Sequence, residues 1–177
     1  VTPPDTELLH APLTRLSEDE QLFRDGILTF AQREIRPHVR EMDEQAKMPA
    51  SLLTQLFDLG VMGIEIPEAH GGSGGTFFHS VLAVEALSQV DPAVGVIADV
   101  QNTLVINAFL RWATDEQRST FLPRLAANTI GAYALSEAGS GSDAFALTTR
   151  AVRSGEDWLI TGRKLWITNA NEAGLFI

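Results

Sequence analysis

Tyr-Ala-Leu-Ser-Glu-Ala-Gly-Ser-Gly-Ser-Asp, residues 133–143, and Lys-Leu-Trp-Ile-Thr-Asn, residues 164–169, are the two stretches that decide the fold of this chain. The first predicts an apolar strand that runs into a turn of small residues. Glycines leave the backbone open to phosphate oxygens, and the Ser142 hydroxyl and successive N–H groups can donate to them. Trp166 offers a flat apolar face and Thr168 a hydroxyl. The pattern is typical of a site for a planar cofactor with a phosphate tail, or, alternatively, of a plain turn between strands.

The second stretch is predicted to be a strand. Alternation along a strand would place Trp166 and Thr168 on one face, where both could contact the same ring. A tryptophan in a strand more often belongs to the core, so that interpretation stands beside the cofactor one. Glu137 is the only glutamate of the first stretch, and we interpret it as a structural or surface residue that orients the turn.

Upstream of residue 130 the sequence predicts helices. Residues 17–20, Ser-Glu-Asp-Glu, form a capping box that opens a helix with an apolar face, and Pro37 should kink or end it. A second helix is expected from Pro49 until Gly60 closes it, and a third from about residue 78 to 91. Residues 93–110 are apolar on most sides, as in a core helix.

A second capping box, Thr114 to Gln117, predicts a short helix that ends near Pro123. The segment from Met62 to Pro67 is expected to be extended, and residues 71–75, Gly-Gly-Ser-Gly-Gly, to form a flexible loop. Residues 1–16 contain three prolines and predict an extended or frayed arm.

Beyond residue 130 the period changes to that of strands. Residues 146–152 alternate, residues 154–157 form a turn, and residues 158–161 form another strand. The apolar end, residues 174–177, indicates the opening of a buried strand with no partner in view. The fold class is therefore α+β, with an all-helical domain over residues 1–129 and the beginning of a β domain over residues 130–177.

The composition excludes several classes of protein. The net charge is −10, from 13 basic and 23 acidic residues, which disfavours binding to nucleic acid or to an anionic membrane. No uninterrupted apolar stretch reaches the length of a membrane span. The chain has no cysteine, so disulfides and thiolate catalysis are excluded.

The remaining polar residues suggest no further chemistry. His10, His38, His70 and His79 share no ligand spacing, so no metal site is predicted and surface or loop positions are expected. The acidic residues of segment 41–44 lie beside arginines and indicate a solvated face. The serines of the first stretch have no histidine partner in a nucleophile elbow, so a hydrolase is unsupported.

Four segments, in order along the chain, resemble acyl-CoA dehydrogenases. Residues 133–143 and 164–169 are similar to the two flavin-contacting signatures of that family. Residues 60–68 with 70–72, and residues 117–118 with 121–123, resemble its N-terminal domain. The wording Leu-Ser-Glu-Ala-Gly at 135–139 and Gln-Asn-Thr-Leu at 101–104 is closest to the short/branched-chain members.

The resemblance implies an N-terminal helical domain followed by the first strands of a β-barrel-like middle domain, in a chain that stops before the family's C-terminal helical domain. It implies FAD as the cofactor and an acyl-CoA as the substrate, which is oxidised to the α,β-enoyl thioester. The expected cofactor contacts are Tyr133, Ala134, Leu135, Ser136, Gly141, Ser142, Trp166, Ile167 and Thr168. Ser142 is also expected to contact the thioester, and the helical part to wall the acyl pocket.

No catalytic residue is assigned, because the family's base is a glutamate of the C-terminal domain. The resemblance further implies an electron-transfer flavoprotein as electron acceptor, a homotetramer, and a location in the cytoplasm of a bacterium or the mitochondrial matrix of a eukaryote. Two alternatives stay open. One is a noncatalytic helical binding or assembly module, and the other is an acyl-CoA oxidase of the same fold.

Overall fold

The computed structural model describes residues 15–177, so most of the arm predicted for residues 1–16 lies outside the described residues. Helices occupy the chain as far as residue 127, and short strands follow. The helices are α1 Glu18–Phe30, α2 Val39–Gln45, α3 Ala50–Asp58, α4 Phe77–Ser88, α5 Pro92–Asp99, α6 Asn107–Trp112 and α7 Asp115–Ala127. The strands are β1 Gly131–Ala132, β2 Arg150–Ser154, β3 Asp157–Thr161 and β4 Leu175–Phe176. The predicted α+β class is confirmed.

Both predicted capping boxes are present. The Ser17 hydroxyl accepts from the Glu20 N–H at 3.2 Å, while the Ser17 N–H donates to the Glu20 carboxylate at 2.7 Å. Thr114 and Gln117 exchange the same two bonds at the start of α7. These boxes satisfy backbone N–H groups that the first turn of a helix leaves without partners.

The two prolines have different outcomes: the α-helix is interrupted around Pro37, as predicted, whereas Pro123 does not end α7. Beyond α1 the chain continues through a π-helical segment, Ala31–Ile35, and a 3₁₀ turn, Arg36–His38, into α2. Pro37 lies in the first turn of that 3₁₀ segment, where a missing N–H removes no helical bond. Pro123 lies inside α7, which runs on to Ala127, so the predicted end was wrong.

The core consists of two apolar clusters. The larger is formed by buried side chains of α1, α3, α4 and α5, such as Ile27, Leu56, Leu87 and Val94. The second cluster contains Ile66, Val100, Val105, Ile106, Leu122 and Leu125. Tyr133 and Leu175, from the β part, pack on the second cluster, so that the helical and β parts share a core.

One continuous helical stretch, Pro92–Trp112, runs through α5, a π-helical segment at Val100–Ile106 and α6. With 21 residues and a mean hydropathy of 1.5 in its most apolar window, it could cross a membrane by length and composition alone. The sequence predicts no uninterrupted apolar stretch of this length, because Gln101 and Asn102 interrupt the apolar run. Val94, Ala98, Val105 and Ile106 of this stretch are buried in the core of the folded chain, as expected of a core helix.

The segment between α3 and α4 is irregular. Its residues 61–66 form bends, so the predicted extended conformation was wrong, and four of its apolar side chains are buried. The glycine-rich loop that follows is held against it by backbone bonds, including Gly74 N–H to Ile66 O at 2.9 Å and Gly75 N–H to Ile64 O at 2.7 Å. A Cβ at Gly72 would lie 2.1 Å from the Ile66 carbonyl oxygen, so this close approach requires glycine.

The strands form two separate pairs. β1 and β4 are parallel, with Gly131 opposite Leu175, so the final strand has the partner that the sequence did not reveal. β2 and β3 form an antiparallel hairpin whose turn contains Gly155 at φ 65°. Every residue of both hairpin strands is exposed, including Trp158, Leu159 and Ile160. Residues 146–149 and 164–169 are not strands, in contrast to the prediction.

Candidate functional site

The two decisive stretches of the sequence meet directly. The Leu165 N–H donates to the Ser136 carbonyl at 2.9 Å. The Lys164 ammonium, one residue earlier, donates to the Leu135 carbonyl at 3.0 Å and to the Glu137 carboxylate at 2.8 Å. Residues 135–137 and 164–165 are therefore joined by three hydrogen bonds.

Glu137 is the centre of this junction. Its side chain is only 4% exposed, and its carboxylate accepts five hydrogen bonds. Besides Lys164, the donors are the N–H and hydroxyl of Thr148, both at 2.7 Å, and the N–H and hydroxyl of Thr149, at 3.1 and 2.5 Å. A carboxylate with this many donors is held as an anion. The interpretation of Glu137 as a structural residue is confirmed, and it is a buried one.

These donors set the protonation of Glu137. The hydrogen bond from Lys164, followed by those from Thr149 and Thr148, holds the pKa of the Glu137 carboxyl well below its usual range. Burial acts in the opposite direction and is outweighed. Glu137 is consequently unsuited to take up a proton from a substrate near neutral pH.

Trp166 stands out by its backbone and its exposure. Its φ is 58° and it is 93% exposed. A left-handed backbone is rare for a bulky residue, and such strain clusters at functional sites. Asn169, at φ 67°, anchors the far end of the segment by donating its side-chain amide to the Gly131 carbonyl at 3.1 Å. The predicted strand, and with it the argument that alternation places Trp166 and Thr168 on one face, was wrong.

The turn at the end of the first stretch is tight and open to solvent. Glu137 and Ser140 exchange both backbone hydrogen bonds at 3.1 Å, and the Ser140 hydroxyl donates to the Asp143 carbonyl at 2.8 Å. Gly141 and Ser142 are exposed. A Cβ at Gly139 or Gly141 would meet nothing within 4 Å, so their backbone can be approached freely.

A groove of about 1340 Å³ separates Thr168 and Asn169 from the helical part. Apolar side chains from α2, α3, α5 and the connections beside them line much of it, namely Val39, Met42, Met48, Leu53, Val96, Ile97 and Ile130. The charged side chains of the lining are balanced, with the cations Arg36, Arg40 and Lys47 and the acids Asp43, Asp91 and Glu172. The lining therefore combines an apolar part with a polar and charged part, and it could take a ligand that has both.

Gln101 links the helical stretch Pro92–Trp112 to the β part. Its side-chain amide donates to the Leu125 carbonyl at 3.2 Å and the Thr129 carbonyl at 3.0 Å, and its carbonyl oxygen accepts from the Gly131 N–H at 2.8 Å. Gly131 is thus held by Gln101 on its N–H and by Asn169 on its carbonyl. A Cβ on Gly131 would lie 2.5 Å from a Val105 methyl, so the approach of strand and helix requires glycine here.

The structure brings together some of the predicted cofactor residues. Hydrogen bonds hold Leu135 and Ser136 beside Lys164 and Leu165, next to Trp166. Ala134 is bonded to the β4 end through Ile177, and Tyr133 packs on the core. Within the described residues, no side-chain hydrogen bond joins Gly141 or Ser142 to the Trp166–Thr168 segment.

The sequence prediction missed three residues that organise this region. Thr148 and Thr149 supply four of the five bonds to Glu137, and the sequence signal for them was only an adjacent pair of threonines downstream of the single glutamate in residues 133–143. Asn169 ends the second decisive stretch, and no role was predicted for it. Asparagine is among the few residues that tolerate the left-handed backbone that Asn169 has.

The histidines form no metal site among residues 15–177, and His10 lies outside them. His79 is not the surface or loop residue expected. It lies in the first turn of α4, where its ring nitrogen accepts from the Thr76 N–H at 3.2 Å and its ring meets Phe23 edge-on. His79 thus helps to cap α4 and packs against Phe23.

A helical domain joined to the start of a β domain, with two segments held together by hydrogen bonds beside a groove, defines an α+β protein. Residues 17–129 match the family description "Acyl-CoA dehydrogenase, N-terminal domain", and residues 132–177 match "Acyl-CoA dehydrogenase, middle domain". The chain belongs to the acyl-CoA dehydrogenase family, a family of flavoprotein oxidoreductases.

Individual relatives agree with this assignment. A probable short/branched chain specific acyl-CoA dehydrogenase of Dictyostelium discoideum is 50% identical over 167 residues, which cover 94% of this chain and 40% of the relative. The mitochondrial short/branched chain specific acyl-CoA dehydrogenase of Bos taurus is 42% identical over 167 residues, or 94% and 39% of the two chains. The resemblance to short/branched-chain members is thereby confirmed.

A solved structure shows the same fold. The crystal structure of a glutaryl-CoA dehydrogenase from Mycobacterium smegmatis in complex with FADH2 has a TM-score of 0.84 and 32% identity, covering 97% of this chain and 43% of that one. This chain therefore spans about two fifths of the length of the relatives that it matches.

Proposed function

We propose that the complete protein binds FAD at the junction of residues 133–142 and 166–168 and oxidises an acyl-CoA thioester to the α,β-enoyl thioester. The observation that carries this proposal is Trp166, a 93% exposed aromatic ring on a left-handed backbone, set beside the bonded pair Ser136 and Leu165. The FADH2 in the glutaryl-CoA dehydrogenase, a relative of the same fold, supports the choice of cofactor.

The residues present fit the cofactor. The Trp166 ring and the partly exposed Leu135 side chain offer apolar surface to a flat ring system. The hydroxyls of Ser142 and Thr168 can donate to its polar edge, and the open backbone at Gly141 allows close approach of a phosphate. A bound flavin would accept a hydride, that is a proton with two electrons, from the substrate, and the protein's part would be to orient both and exclude water.

The groove beside Thr168 is the proposed place for the acyl chain. Its wall from α5, with Val96 and Ile97, and the side chains of Met42 and Met48 give an apolar surface for a short or branched chain. The names of the relatives support that substrate class. Ser142 is the proposed contact of the thioester, and no base is assigned within the described residues, since Glu137 is saturated with donors.

The test is the flavin content and FAD dissociation constant of the purified complete protein. Replacing Trp166 or Thr168 by alanine is expected to weaken FAD binding. Trp112 in α6 is also a highly exposed tryptophan, and Trp112→Ala should leave FAD binding unchanged. Unaltered FAD content in both site variants would refute the site. Ser142→Ala is expected to raise the KM for the thioester with little change in the unfolding temperature.

The alternatives predict other results. A noncatalytic assembly module would neither bind FAD nor respond to acyl-CoA in the same titration. An oxidase of the same fold would pass electrons to oxygen, which peroxide production under air measures against reduction of an electron-transfer flavoprotein. We favour an electron-transfer flavoprotein over oxygen as the electron acceptor, because the relatives are named dehydrogenases.

The remaining proposals concern assembly and place. We infer a homotetramer for the complete protein. We also infer a boundary between the two domains at residues 129 and 130, which is supported by the end of α7 at Ala127 and the start of β1 at Gly131. Relatives occur in mitochondria and in Bacillus subtilis, which supports the mitochondrial matrix or the bacterial cytoplasm as the location.

A further inference from the structure

We propose that Glu137 is a positioning residue that, acting through Lys164, fixes the spacing between the two segments assigned to the flavin. The inference rests on the proposed function for its effect on FAD, while its effect on the backbone can be measured without any cofactor. Glu137 itself contacts neither the groove nor the exposed face of the turn, so its role is exerted through its partners.

The first step of the argument is the direction of the bonds. Lys164 holds the Leu135 carbonyl and the Glu137 carboxylate at once, at 3.0 and 2.8 Å. This fork places the Leu165 N–H on the Ser136 carbonyl at 2.9 Å. The only acid in the fork is Glu137, so removing its charge releases the ammonium from one of its two partners.

The second step is the contrast with ion pairs on the surface. In the Arg40–Glu44 pair the side chains are 90% and 61% exposed, and exposed pairs of this kind contribute little. In the Lys164–Glu137 pair the corresponding values are 22% and 4%. Breaking a buried pair from one side leaves a charge without a partner, which makes this contact a strong constraint on the two segments.

The third step is the strain between the two anchors. Trp166 follows the Lys164 fork and precedes Asn169, whose amide holds the other end of the segment on Gly131. Its ring is 93% exposed, so packing of the ring cannot be what keeps its φ at 58°. The anchors at both ends hold it, and a strained residue persists only when its surroundings over-determine it.

The test compares two double variants of the complete protein. Glu137→Gln with Lys164→Met removes the buried pair and leaves no unpaired charge. Glu34→Gln with Arg33→Met is the control, because it removes a pair whose side chains are 32% and 72% exposed and do not line the groove. For the first, we expect amide exchange at Leu165 without FAD to accelerate, and the FAD dissociation constant to rise, each by about tenfold or more. For the control, we expect neither to change.

Single variants separate charge from shape. Lys164→Arg keeps a cation and its donors and should retain most of the FAD affinity, and Thr149→Val, which removes one hydroxyl donor to Glu137, should weaken it slightly. If Lys164→Met alone does not fold, the uncharged double variant still carries the test. A shift in the flavin absorption bands of the double variant would report altered surroundings of the ring, which a loss of stability alone does not produce.

The outcomes are distinct. A folded double variant with unchanged Leu165 exchange overturns the inference, and so does one with faster exchange but an unchanged FAD dissociation constant. If the unaltered protein binds no FAD, the proposed function fails, and Leu165 exchange alone then decides whether Glu137 holds the two segments together.

Discussion

Trp166 and Glu137 show how single residues shape this site in opposite ways. Trp166 is exposed and strained, whereas Glu137 is buried and fully bonded. Neither property follows from residue type, because a tryptophan is usually packed and a glutamate usually solvated. Each departs from the common pattern at the place where residues 135–137 and 164–166 meet.

The strain at Trp166 can be separated from its role. A non-glycine residue in the left-handed region costs about 1–2 kcal/mol. Trp166→Gly should therefore be more stable than Trp166→Ala by about 1 kcal/mol in urea unfolding, while both lose FAD affinity. Equal stability of the two variants would contradict the argument that the anchors at both ends hold this backbone in the left-handed region.

The pH dependence of stability should reveal the Glu137 carboxylate. Its pKa in the folded chain lies below that of an unfolded glutamate, so its stabilising contribution is complete above about pH 4.3 and is lost as the pH falls below that value. Glu137→Gln should be less stable than the wild type at neutral pH, and the difference should shrink under acid. Urea unfolding at a series of pH values measures it.

The exposed Glu44 gives the control for this titration. Its partner Arg40 is also exposed, so Glu44→Gln should change stability little at any pH. A Glu137→Gln difference that stays constant from neutral to acid pH would contradict the protonation argument.

The π-helical segment Val100–Ile106 joins α5 to α6 and to the irregular segment after α3. Asn102 is buried there, and its amide donates to the Val61 and Ala98 carbonyls while its oxygen accepts from the Ile64 N–H, all between 2.8 and 2.9 Å. Asn102 thus satisfies backbone groups of the irregular segment after α3, which has no sheet or helix partner of its own.

Replacing Asn102 by leucine should be among the more damaging changes in the chain. It leaves buried backbone groups without partners, and we expect a loss of about 3 kcal/mol or more in the free energy of unfolding. Gln21, an exposed amide bonded only to the Leu16 carbonyl, is the matched control, and Gln21→Leu should change stability by less than about 0.5 kcal/mol. Similar losses in both variants would contradict the satisfaction argument.

The elements that sequence analysis predicted correctly are those specified by local chemistry. Capping boxes, the apolar helices and the hairpin turn depend on neighbours within a few residues. The end predicted at Pro123 was wrong because α7 continues through this proline to Ala127, although proline lacks the N–H of a helical bond. The strand predicted for residues 164–169 failed because its shape depends on Lys164 and Asn169 reaching residues 131–137, which no local period encodes.

At the scale of the whole chain, stability is uneven. The helical part has two buried clusters, whereas both faces of the β2–β3 hairpin are exposed and carry Val152, Trp158, Leu159 and Ile160. A hairpin without packing is marginally stable in water. In these 177 residues, the amides of β2 and β3 should exchange more than about tenfold faster than those of α4, measured by NMR.

Addition of the rest of the complete protein provides the comparison. If other parts of the protein cover the hairpin, its amides become protected there and the α4 amides change little. Slow exchange of the hairpin in the 177 residues alone would show that the pair is stable by itself.

The parallel pairing of β1 with β4 has a consequence for the order of events during synthesis. Gly131 pairs with Leu175, so all the residues of both flavin segments lie in the loop that this pairing closes. Domains fold as units, N-terminal first, while the ribosome still holds the chain. The helical part can fold once Ala127 has left the ribosomal exit tunnel. β1 remains without its pairing partner until β4 has also left the tunnel. We therefore expect nascent chains to fold their acyl wall first and to remain unable to hold FAD until β4 arrives.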